Sequence, residues 1–429
     1  MKIFHAYDIR GKYPEEINEK IAYEIGKAIG TFFKKSVCVG HDTRKGSKNV
    51  KSSLIKGLRD SGVDVYSLGL CTTPMISYYS LKNQVVGVQI TASHNPPNYT
   101  GFKFWNDGIA SQKVLEIEKV FNSKNFSHGK GKIIEVTNFH KSYVDFLTKG
   151  ISSDKRVVVD TFGGVTTKFV NEILRKIGCD VIPLYNDTYE DFDGRIPEPK
   201  EGNINKLQEL VIKERADFGL ALDGDGDRAV FVDENGKIVS AGKMIMIFIK
   251  YLLKDRKGKV VVTIDNSPLI NNIENAEVMW SRVGYTFIEE LAHKHKAIFS
   301  GEGSSHFAFG DYYYSSDGIL AAIVLTQVLK DKKLSELVEE LPHTHTIKTN
   351  FSFENHEEKS RIMKKIKQEL INKHETSTLD GVKVYLEDSW FLIRPSNTEP
   401  KIRLMIEANN KEKCKEILDY VKKLIEKNK

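Results

Sequence analysis

Three aspartates alternate with glycine in the segment DGDGDR, which begins at Asp223. Carboxylates at this spacing repel one another strongly unless a hard cation lies among them. The pattern therefore predicts that Asp223, Asp225 and Asp227 bind a metal ion. Few other donors accompany the three acids, which favours Mg²⁺, an ion that keeps coordination positions for water and phosphate oxygens. A solvated acidic turn without a metal is the plain alternative.

The same segment also fits the start of a calcium-binding EF-hand loop, because Glu234 stands where the twelfth-position ligand belongs. Two features oppose that interpretation. Arg228 occupies the sixth position, where the calcium loop requires glycine. The flanking segments FGLAL and AVFVD are typical of strands, whereas an EF-hand loop lies between helices.

A serine lies in the stiff segment TASHNPPNYTGFK, residues 91–103. Its two prolines fix φ and remove backbone donors, so we expect the residues before them to be extended and Ser93 to stay out of a helix. A hydroxyl held in this way suits a nucleophile or a phosphate carrier, and Lys103 would neutralise a phosphoryl group or move a proton. A plain turn is the alternative. A Ser-His-Asp hydrolase fits poorly, because there is no GxSxG motif and His94 follows the serine directly.

Two further loops offer groups that bind sugars and phosphates. In GEGSSH, Glu302, Ser304 and His306 alternate and so project to one side of an extended segment, where a carboxylate and a hydroxyl can bind a vicinal diol. The segment RPSNTEP offers a guanidinium group and neutral donors, a set that recognises a phosphate dianion. Those donors are Arg394, Ser396, Asn397 and Thr398. Taken alone, each loop is more typical of an ordinary exposed turn.

Together the four loops indicate one reaction. A fixed hydroxyl, an acidic loop for a metal, a loop for a diol and a loop for a phosphate form a coherent set for phosphoryl transfer onto a sugar. Positioning and neutralisation of charge supply most of the catalysis in that reaction. The combination therefore outweighs the plain interpretation of each loop.

The composition of the chain limits its class. With 429 residues, 40% of them hydrophobic, the chain is too long for one core, and we expect about two to four domains. Four widely separated cysteines form no CxxC pair, which argues against a zinc site or a disulfide framework and favours the reducing cytoplasm. No apolar stretch approaches the roughly 18 residues of a membrane span, and no secretory signal is visible, so we expect a soluble protein without a membrane partner.

The charge distribution gives little sign of nucleic acid binding. The net charge is +6, and the lysines are spread along the chain. A nucleic acid interface would gather them into a stripe with aromatic residues between them. We therefore expect no nucleic acid partner.

Three similar units precede the last quarter of the chain. Their Val-rich first strands contain Val37, Val157 and Val260, and each strand is followed by a polar loop and a helical pattern. Such continuous apolar runs are typical of parallel strands covered on both faces. Each unit continues to a third strand, which predicts one strand-helix-strand-helix-strand plan used three times. The third strands lead into TASHNPP, DGDGDR and GEGSSH, and ligands bind at the carboxyl ends of such strands.

The pattern changes from about Phe351 onward. A helical stretch at 357–373 precedes three segments typical of strands, VKVYLE, SWFLIR and KIRLMIEA, and an amphipathic terminal helix follows. We therefore predict a separate α+β domain with an antiparallel sheet, in which RPSNTEP joins two strands. The predicted domains are 1–148 with the serine loop, 149–250 with the metal loop, 251–350 with the sugar loop and 351–429 with the phosphate loop.

The whole chain resembles the α-D-phosphohexomutase family, the phosphomannomutase/phosphoglucomutase group. The segments AYDIRG at 6–11, GHDTRKGS at 40–47, TTP at 72–74 and DG at 317 occur with the four loops in the family's order, and TASHNP with DGDGDR is highly specific. The resemblance implies an α/β fold with three topologically similar mixed α/β domains plus a C-terminal α+β domain, four domains around a central cleft. It also implies an enzyme, an intramolecular phosphotransferase of the isomerase class.

Residue roles follow from the same resemblance, motif by motif. It implies that Ser93 is a phosphoserine, whose phosphoryl oxygen helps the three aspartates of DGDGDR to hold Mg²⁺. It assigns Glu302 and Ser304 to the O3 and O4 hydroxyls of the sugar. Four residues would hold the non-reacting phosphate: Arg394, Ser396, Asn397 and Thr398. Four others would assist charge balance and proton transfer at the reacting end: Arg10, Lys103, Arg228 and His306.

The implied reaction interconverts a hexose 1-phosphate and a hexose 6-phosphate, of mannose and/or glucose. It passes through phospho-Ser93 and a hexose 1,6-bisphosphate, which is both intermediate and activator, so the partner is a small phosphosugar. A phosphoglucosamine mutase is the nearest alternative, since recognition through O3 and O4 ignores C2. A non-catalytic sugar-phosphate or metal-binding protein is the alternative from another class, and monomer and homo-oligomer both stay open.

The sequence departs from the family's pattern in the third domain. Gly303 replaces the usual larger residue before Ser304, and Ser305 replaces a usual glycine. Tyr285 stands where relatives often carry His or Asp. These departures remove no catalytic group, but they leave the contacts at the far side of the sugar open.

Overall fold

The computed structural model describes residues 3–396 and 399–429, which form four β-sheets with helices packed against them. The first sheet carries the serine loop. Its strands are β1 (Ile9–Lys12), β2 (Val37–His41), β3 (Val65–Leu70), β4 (Val86–Ile90), β5 (Tyr99–Asn106), β6 (Ile109–Ala110) and β7 (Ile133–Glu135). Its helices are α1 (Glu19–Phe33), α2 (Ser47–Asp60), α3 (Thr73–Asn83), α4 (Val114–Ser123) and α5 (Phe139–Thr148). The strand order is β1-β5-β4-β2-β3-β7, with β6 paired to β5.

The second sheet carries the metal loop. Its strands are β8 (Arg156–Asp160), β9 (Asp180–Pro183), β10 (Phe218–Leu222), β11 (Ala229–Asp233) and β12 (Ile238–Val239). The helices of this part are α6 (Val170–Lys176) and α7 (Asn205–Lys213). The strand order is β12-β11-β10-β8-β9. All five residues of β10 are buried, as expected of a central strand covered on both faces.

The third sheet carries the sugar loop. Its strands are β13 (Gly258–Thr263), β14 (Ala276–Ser281), β15 (Phe299–Gly301) and β16 (Phe307–Phe309). The helices are α8 (Ala241–Leu252), α9 (Tyr285–His295), α10 (Gly318–Val328) and α11 (Leu334–Glu339). The strand order is β14-β13-β15-β16.

The fourth sheet is antiparallel and carries the phosphate loop. Its strands are β17 (His345–Ser352), β18 (Glu375–Ser377), β19 (Val382–Leu386), β20 (Ser389–Pro395) and β21 (Lys401–Ala408), in the order β17-β21-β20-β19-β18. The helices are α12 (His356–Ile371) and α13 (Lys411–Asn428). This arrangement confirms the predicted α+β domain and its amphipathic terminal helix.

The first three sheets repeat one plan, as predicted. In each, the first strand lies between the third and the second, all three run parallel, and an antiparallel strand joins the third. Those antiparallel strands are β5, β11 and β16. The serine, metal and sugar loops each connect a third strand to its antiparallel partner, so they occupy equivalent positions. In the third unit the helical pattern after β13 is only a short 3₁₀ segment, Pro268–Asn272, because the link to β14 is short.

One hydrophobic core extends through the first three domains, with buried members from Cys38 to Leu341, and each of these domains also has a smaller buried cluster of its own. The nearly all-apolar helix α10 is buried in this core. Within the described residues, no helix combines the length and the apolar character needed to cross a lipid bilayer. The fourth domain has a separate core between its sheet and its two helices. It meets the third domain through a small apolar cluster: Ile264, Val283, Trp390 and Leu392.

Two predicted boundaries fall inside elements of the structure. The boundary between 350 and 351 lies within β17, which pairs along its length with β21. Sequence patterns miss β17 because its residues HTIKTNFS are mostly polar and lie, half exposed, at the edge of the sheet. The boundary between 250 and 251 lies within α8. The domain bounds otherwise stay predictions.

Candidate active site

The serine, metal and sugar loops converge at the carboxyl ends of β4, β10 and β15. The Ser93 hydroxyl donates a hydrogen bond to Asp223 Oδ2 at 2.7 Å. The Nε2 atom of His306 lies 3.4 Å from Asp227 Oδ1. Three segments far apart in the chain therefore form one polar centre, as expected for loops at the carboxyl ends of strands.

The backbone of Ser93 adopts a left-handed turn with φ of 51°. The expectation of an extended segment is therefore wrong at this residue. The turn is held by the Ser93 N–H, which donates to Thr91 Oγ1 at 2.8 Å, and by Arg44 Nη2, which donates to the Ser93 carbonyl at 2.5 Å. A Cβ atom at Gly224 would lie 2.6 Å from that same carbonyl, so glycine is needed where the metal loop approaches the serine loop.

The three aspartates of the metal loop are fully buried, and ligand atoms of all three lie within 4.8 Å of one another. Burial, with the charges of Asp225 and Asp227, raises the pKa of Asp223 to about 8. Asp225 Oδ1 and Asp227 Oδ1 are buried and accept no hydrogen bond from the described residues. Asp227 Oδ1 has only the 3.4 Å contact with His306 Nε2, so the crowded carboxylates fit a hard divalent cation such as Mg²⁺, which would remove their repulsion.

Lys103 is the nearest compensating charge. It lies on the buried face of β5, and its Nζ contacts Asp225 Oδ2 at 2.9 Å and Asp227 Oδ2 at 2.5 Å. Burial lowers the pKa of Lys103, but the two carboxylates outweigh burial and raise the pKa above its ordinary value. The ammonium group is therefore protonated at neutral pH and neutralises one of the three aspartates.

The sugar loop brings its three alternating side chains together. His306 Nδ1 lies 3.0 Å from Glu302 Oε2 and 3.0 Å from Ser304 Oγ. Burial lowers the pKa of His306, but Asp227 and the bond to Glu302 raise it to a net value of about 9. Protonated His306 thus links the sugar loop to the metal loop. Arg228 pairs with His306 in a β-bridge, with its Nε atom 3.4 Å from His306 Nε2.

Two other residues border the reacting end. Arg10, on β1, donates to Asn95 Oδ1 at 2.6 Å and forms an ion pair with Asp8 at 2.7 Å. Tyr285, the first residue of α9, stacks on His306 with ring centroids 5.5 Å apart, and Lys103 Nζ lies 5.3 Å from its ring centre. Tyr285 therefore packs between the two cations of the centre, which explains how an aromatic residue is accommodated here.

The phosphate loop follows β20 of the fourth sheet and borders the third domain. Arg394 is the last residue but one of β20 and forms an ion pair with Asp380, 3.3 Å away. The backbone of Ser396 is held by its N–H bond to the Lys401 carbonyl at 2.8 Å and by Lys359 Nζ, which donates to its carbonyl at 2.6 Å. The Ser396 hydroxyl is buried without a hydrogen-bond partner among the described residues. Asn397 and Thr398, also predicted here, lie outside the described residues.

A cavity of about 330 Å³ opens beside Arg394, between the third and fourth domains. Strand pairing aligns Arg394 with Arg403, and Arg403 with Asn350, which places a row of donors on one face of the sheet. The remaining polar lining residues are Asp265, Lys348, Thr349 and Glu399. The cavity thus has one more cation than carboxylate in its lining, and its guanidinium groups suit a phosphate group.

Sequence reasoning missed two residues that build this centre. Arg44 holds the serine loop by donating to the carbonyls of Ser93, Asn95 and Pro96. Thr73 donates its hydroxyl to Asp225 Oδ2 at 2.6 Å and its N–H to the Asp225 carbonyl at 3.0 Å. Both residues lie in segments typical of the family, GHDTRKGS and TTP, but nothing in the chemistry of those segments alone assigns them to the loops they hold.

A buried lysine joins the fourth domain to the third. Lys383 Nζ donates to the carbonyls of Ile264 and Asn266 at 2.9 and 2.6 Å, and it lies 3.8 Å from the ring centre of Trp390. Burial lowers the pKa of Lys383 to about 7. A neutral amine has two N–H donors, which matches the two carbonyls it contacts.

We expect this lysine to make stability depend on pH. Between pH 7 and the ordinary lysine pKa of 10.5, the unfolded state binds more protons at Lys383 than the folded state, so stability rises with pH in this window. Relative to Lys383→Met, the free energy of unfolding of the wild type should rise by up to about 1.4 kcal/mol per pH unit. Denaturant unfolding at several pH values measures the difference. Exposed Lys415→Met is the matched control, and parallel curves for the wild type and Lys383→Met would refute the assignment.

The chain matches the phosphoglucomutase/phosphomannomutase family along nearly its whole length. Alpha/beta/alpha domains I, II and III of the family match residues 1–128, 138–236 and 241–345, and its C-terminal domain matches residues 357–424.

Individual relatives align with nearly the full length of the chain. A probable phosphoglucosamine mutase of Methanosarcina acetivorans is 36% identical over 99% of this chain and 99% of its own length. A phosphoglucomutase/phosphomannomutase of Thermococcus kodakarensis is 34% identical over 99% and 98%. The crystal structure of a phosphoglucomutase/phosphomannomutase family protein from Burkholderia thailandensis has the same fold, with a TM-score of 0.92 over 100% of this chain and 97% of that one, at 24% identity. The four matched domains, taken with the convergent loops, show that the chain belongs to the phosphoglucomutase/phosphomannomutase family of phosphohexomutases and is an enzyme of that family.

Proposed function

We propose that the chain interconverts hexose 1-phosphate and hexose 6-phosphate, of mannose and/or glucose, through phospho-Ser93 and a hexose 1,6-bisphosphate. The observation that carries the proposal is the 2.7 Å hydrogen bond from Ser93 Oγ to Asp223 Oδ2. It joins the serine loop to the acidic triad, the three aspartates of the metal loop. A phosphoryl group on that oxygen would lie against the triad and Lys103. This is the position a phosphate carrier requires.

The triad supplies the cation site in this proposal. Asp223, Asp225 and Asp227 would hold Mg²⁺, which neutralises charge on the phosphoryl group when it is bound. Lys103 and His306 are protonated at neutral pH and add two fixed positive charges beside the group. Because these charges are buried and already in place, they stabilise the transferring group without rearrangement.

The sugar is oriented from both ends. Arg394 and Ser396 bind its non-reacting phosphate, while Glu302 and Ser304 bind O3 and O4. The bond between Ser93 Oγ and phosphorus breaks as a sugar hydroxyl oxygen bonds to phosphorus, and the proton lost by that hydroxyl is balanced by one gained at Ser93 Oγ. After the bisphosphate turns over in the cleft, Ser93 Oγ takes the phosphoryl group from the other end. No phosphate is consumed, and Arg10 and Arg228 balance charge at the reacting end.

A phosphoglucosamine mutase is the second candidate. Several relatives with 34 to 36% identity, including the one from Methanosarcina acetivorans, bear the name probable phosphoglucosamine mutase. Binding through O3 and O4 does not distinguish sugars that differ at C2. The residues that contact the C2 substituent therefore decide between the two candidates.

The proposed function is tested by assaying glucose 1-phosphate, mannose 1-phosphate and glucosamine 1-phosphate side by side, with Mg²⁺ and a trace of the matching bisphosphate. We expect conversion to the 6-phosphate with little release of inorganic phosphate, and glucose and mannose rates within about ten-fold of each other, because one group at C2 changes binding only modestly. Steady release of inorganic phosphate without isomerised sugar would indicate a phosphatase and contradict the proposal.

A further inference from the structure

A carboxylate lies in the cavity beside the phosphate loop. Asp265 follows β13 and lines this cavity together with Arg394 and Lys348. Its Oδ1 atom accepts a bond from Thr263 Oγ1 at 2.5 Å. Its Oδ2 atom accepts no hydrogen bond from the described residues, and none of their cations lies within ion-pair distance of it. Asp265 thus keeps one oxygen free at the wall of the cavity.

The sugar loop leaves room for this carboxylate. A Cβ atom at Gly303 would lie 3.0 Å from Asp265 Oδ2 and 3.3 Å from its Cγ. The backbone of Gly303 does not have a positive φ, so glycine is not required there by backbone conformation. The close approach of Asp265 is what favours it. Asp265 therefore borders the same loop whose Glu302 and Ser304 flank Gly303.

A lysine of the fourth domain also holds the backbone on both sides of Asp265. Lys383 holds the carbonyls on both sides of it, those of Ile264 and Asn266. Burial, and then the charge of Glu302, raise the pKa of Asp265, while Arg394 and Lys348 lower it. A half-buried carboxylate near a phosphate clamp repels the phosphate, which is unfavourable if the ligand offers only phosphate and neutral hydroxyls. A ligand with a cation next to its phosphate removes that cost.

We propose that Asp265 binds the 2-ammonium group of a hexosamine phosphate. In a hexosamine 1-phosphate, C2 is bonded to the carbon that carries the phosphate. When Arg394 holds that phosphate, the ammonium group lies within the same cavity as Asp265, and Glu302 adds a second negative charge nearby. This assignment rests on the proposed phosphohexomutase function and makes Asp265 the residue that selects an amino sugar at C2.

The test compares glucosamine 1-phosphate with glucose 1-phosphate in the wild type and in Asp265→Asn. Asparagine keeps the size of the side chain but removes its charge, and a hydrogen bond to a charged group is worth about ten-fold or more in affinity. We expect the ratio of kcat/KM for the amino sugar over glucose to fall by at least about ten-fold. Gly303→Ala, which crowds the carboxylate without removing it, should lower the same ratio.

A binding measurement separates this proposal from the proposed function. In a Ser93→Ala background, which cannot turn over, calorimetry with each 1-phosphate should show the same fall in the affinity ratio on Asp265→Asn. Exposed Asp388→Asn is the matched control and should leave the ratio unchanged. An equal loss for both sugars, or no change for either, would overturn the role of Asp265. If the wild type isomerises no hexose phosphate, the proposed function fails, and the affinity ratio still decides the role of Asp265.

Discussion

Ser93→Ala should lower the rate of sugar phosphate isomerisation by about 10³-fold or more with every substrate the enzyme accepts. Alanine removes the only atom that carries the phosphoryl group in the proposed cycle, and no other hydroxyl is bonded to Asp223 among the described residues. The fold should survive, because Ser93 is held through its backbone by Thr91 and Arg44, and those bonds remain. Steady-state assays and the melting temperature measure the two effects.

A matched control separates the role of the hydroxyl from the general effect of mutation. Ser52→Ala removes an exposed serine of α2 in the same domain and should keep full activity. Mass spectrometry after incubation with hexose bisphosphate should find one phosphoryl group on the wild type and on Ser52→Ala, and none on Ser93→Ala. Full activity or phosphorylation of Ser93→Ala would show that another residue carries the phosphate.

Removal of divalent cations with a chelator should reduce turnover by at least about 10²-fold, and Mg²⁺ should restore it. The stability of the fold gives a second measurement of Mg²⁺ binding, independent of activity, because the carboxylates are buried. Three carboxylates face one another and are only partly balanced by Lys103 and His306, so Mg²⁺ should stabilise the fold. At about 100 times its Kd, the ion would add about 2.7 kcal/mol to the free energy of unfolding.

Asp225→Asn should remove both effects of Mg²⁺, because it takes away one of the two carboxylates with a free buried oxygen. Asp187→Asn, an exposed acid of the same domain, should leave both effects intact. A melting temperature of the wild type that does not respond to Mg²⁺, together with full activity in the chelator, would rule out the metal site.

The convergence of the loops was predictable, and the reason is topological. The serine, metal and sugar loops each follow the third parallel strand of a repeated unit, so their positions follow from strand order without any knowledge of contacts. Their residue types then limited the chemistry. The assignment of the phosphate loop rests on residue types alone and stays a prediction, because Arg394 and its neighbours lie on a different kind of sheet, where strand order does not place them.

Features that depend on contacts between domains were not predictable. The left-handed turn at Ser93 is imposed by Arg44, which stands far earlier in the chain, and local rules for residues before proline pointed to an extended backbone. The place of Asp265 depends on Gly303 and Lys383, which belong to other segments. Strand β17 has no clear apolar alternation in its sequence. Its extended conformation depends on pairing with β21 along its whole length.

The separate core of the fourth domain has a mechanical consequence. The first three domains are joined by one large shared cluster of buried apolar side chains, so a hinge among them would expose a large hydrophobic area to water. Among the described residues, the fourth domain contacts the third through a cluster far smaller than the shared core, together with hydrogen bonds such as those of Lys383, so its displacement exposes much less apolar area. We therefore expect a rotation of this one domain to admit and release the sugar phosphate, with little change in the distance between Ser93 and the aspartates.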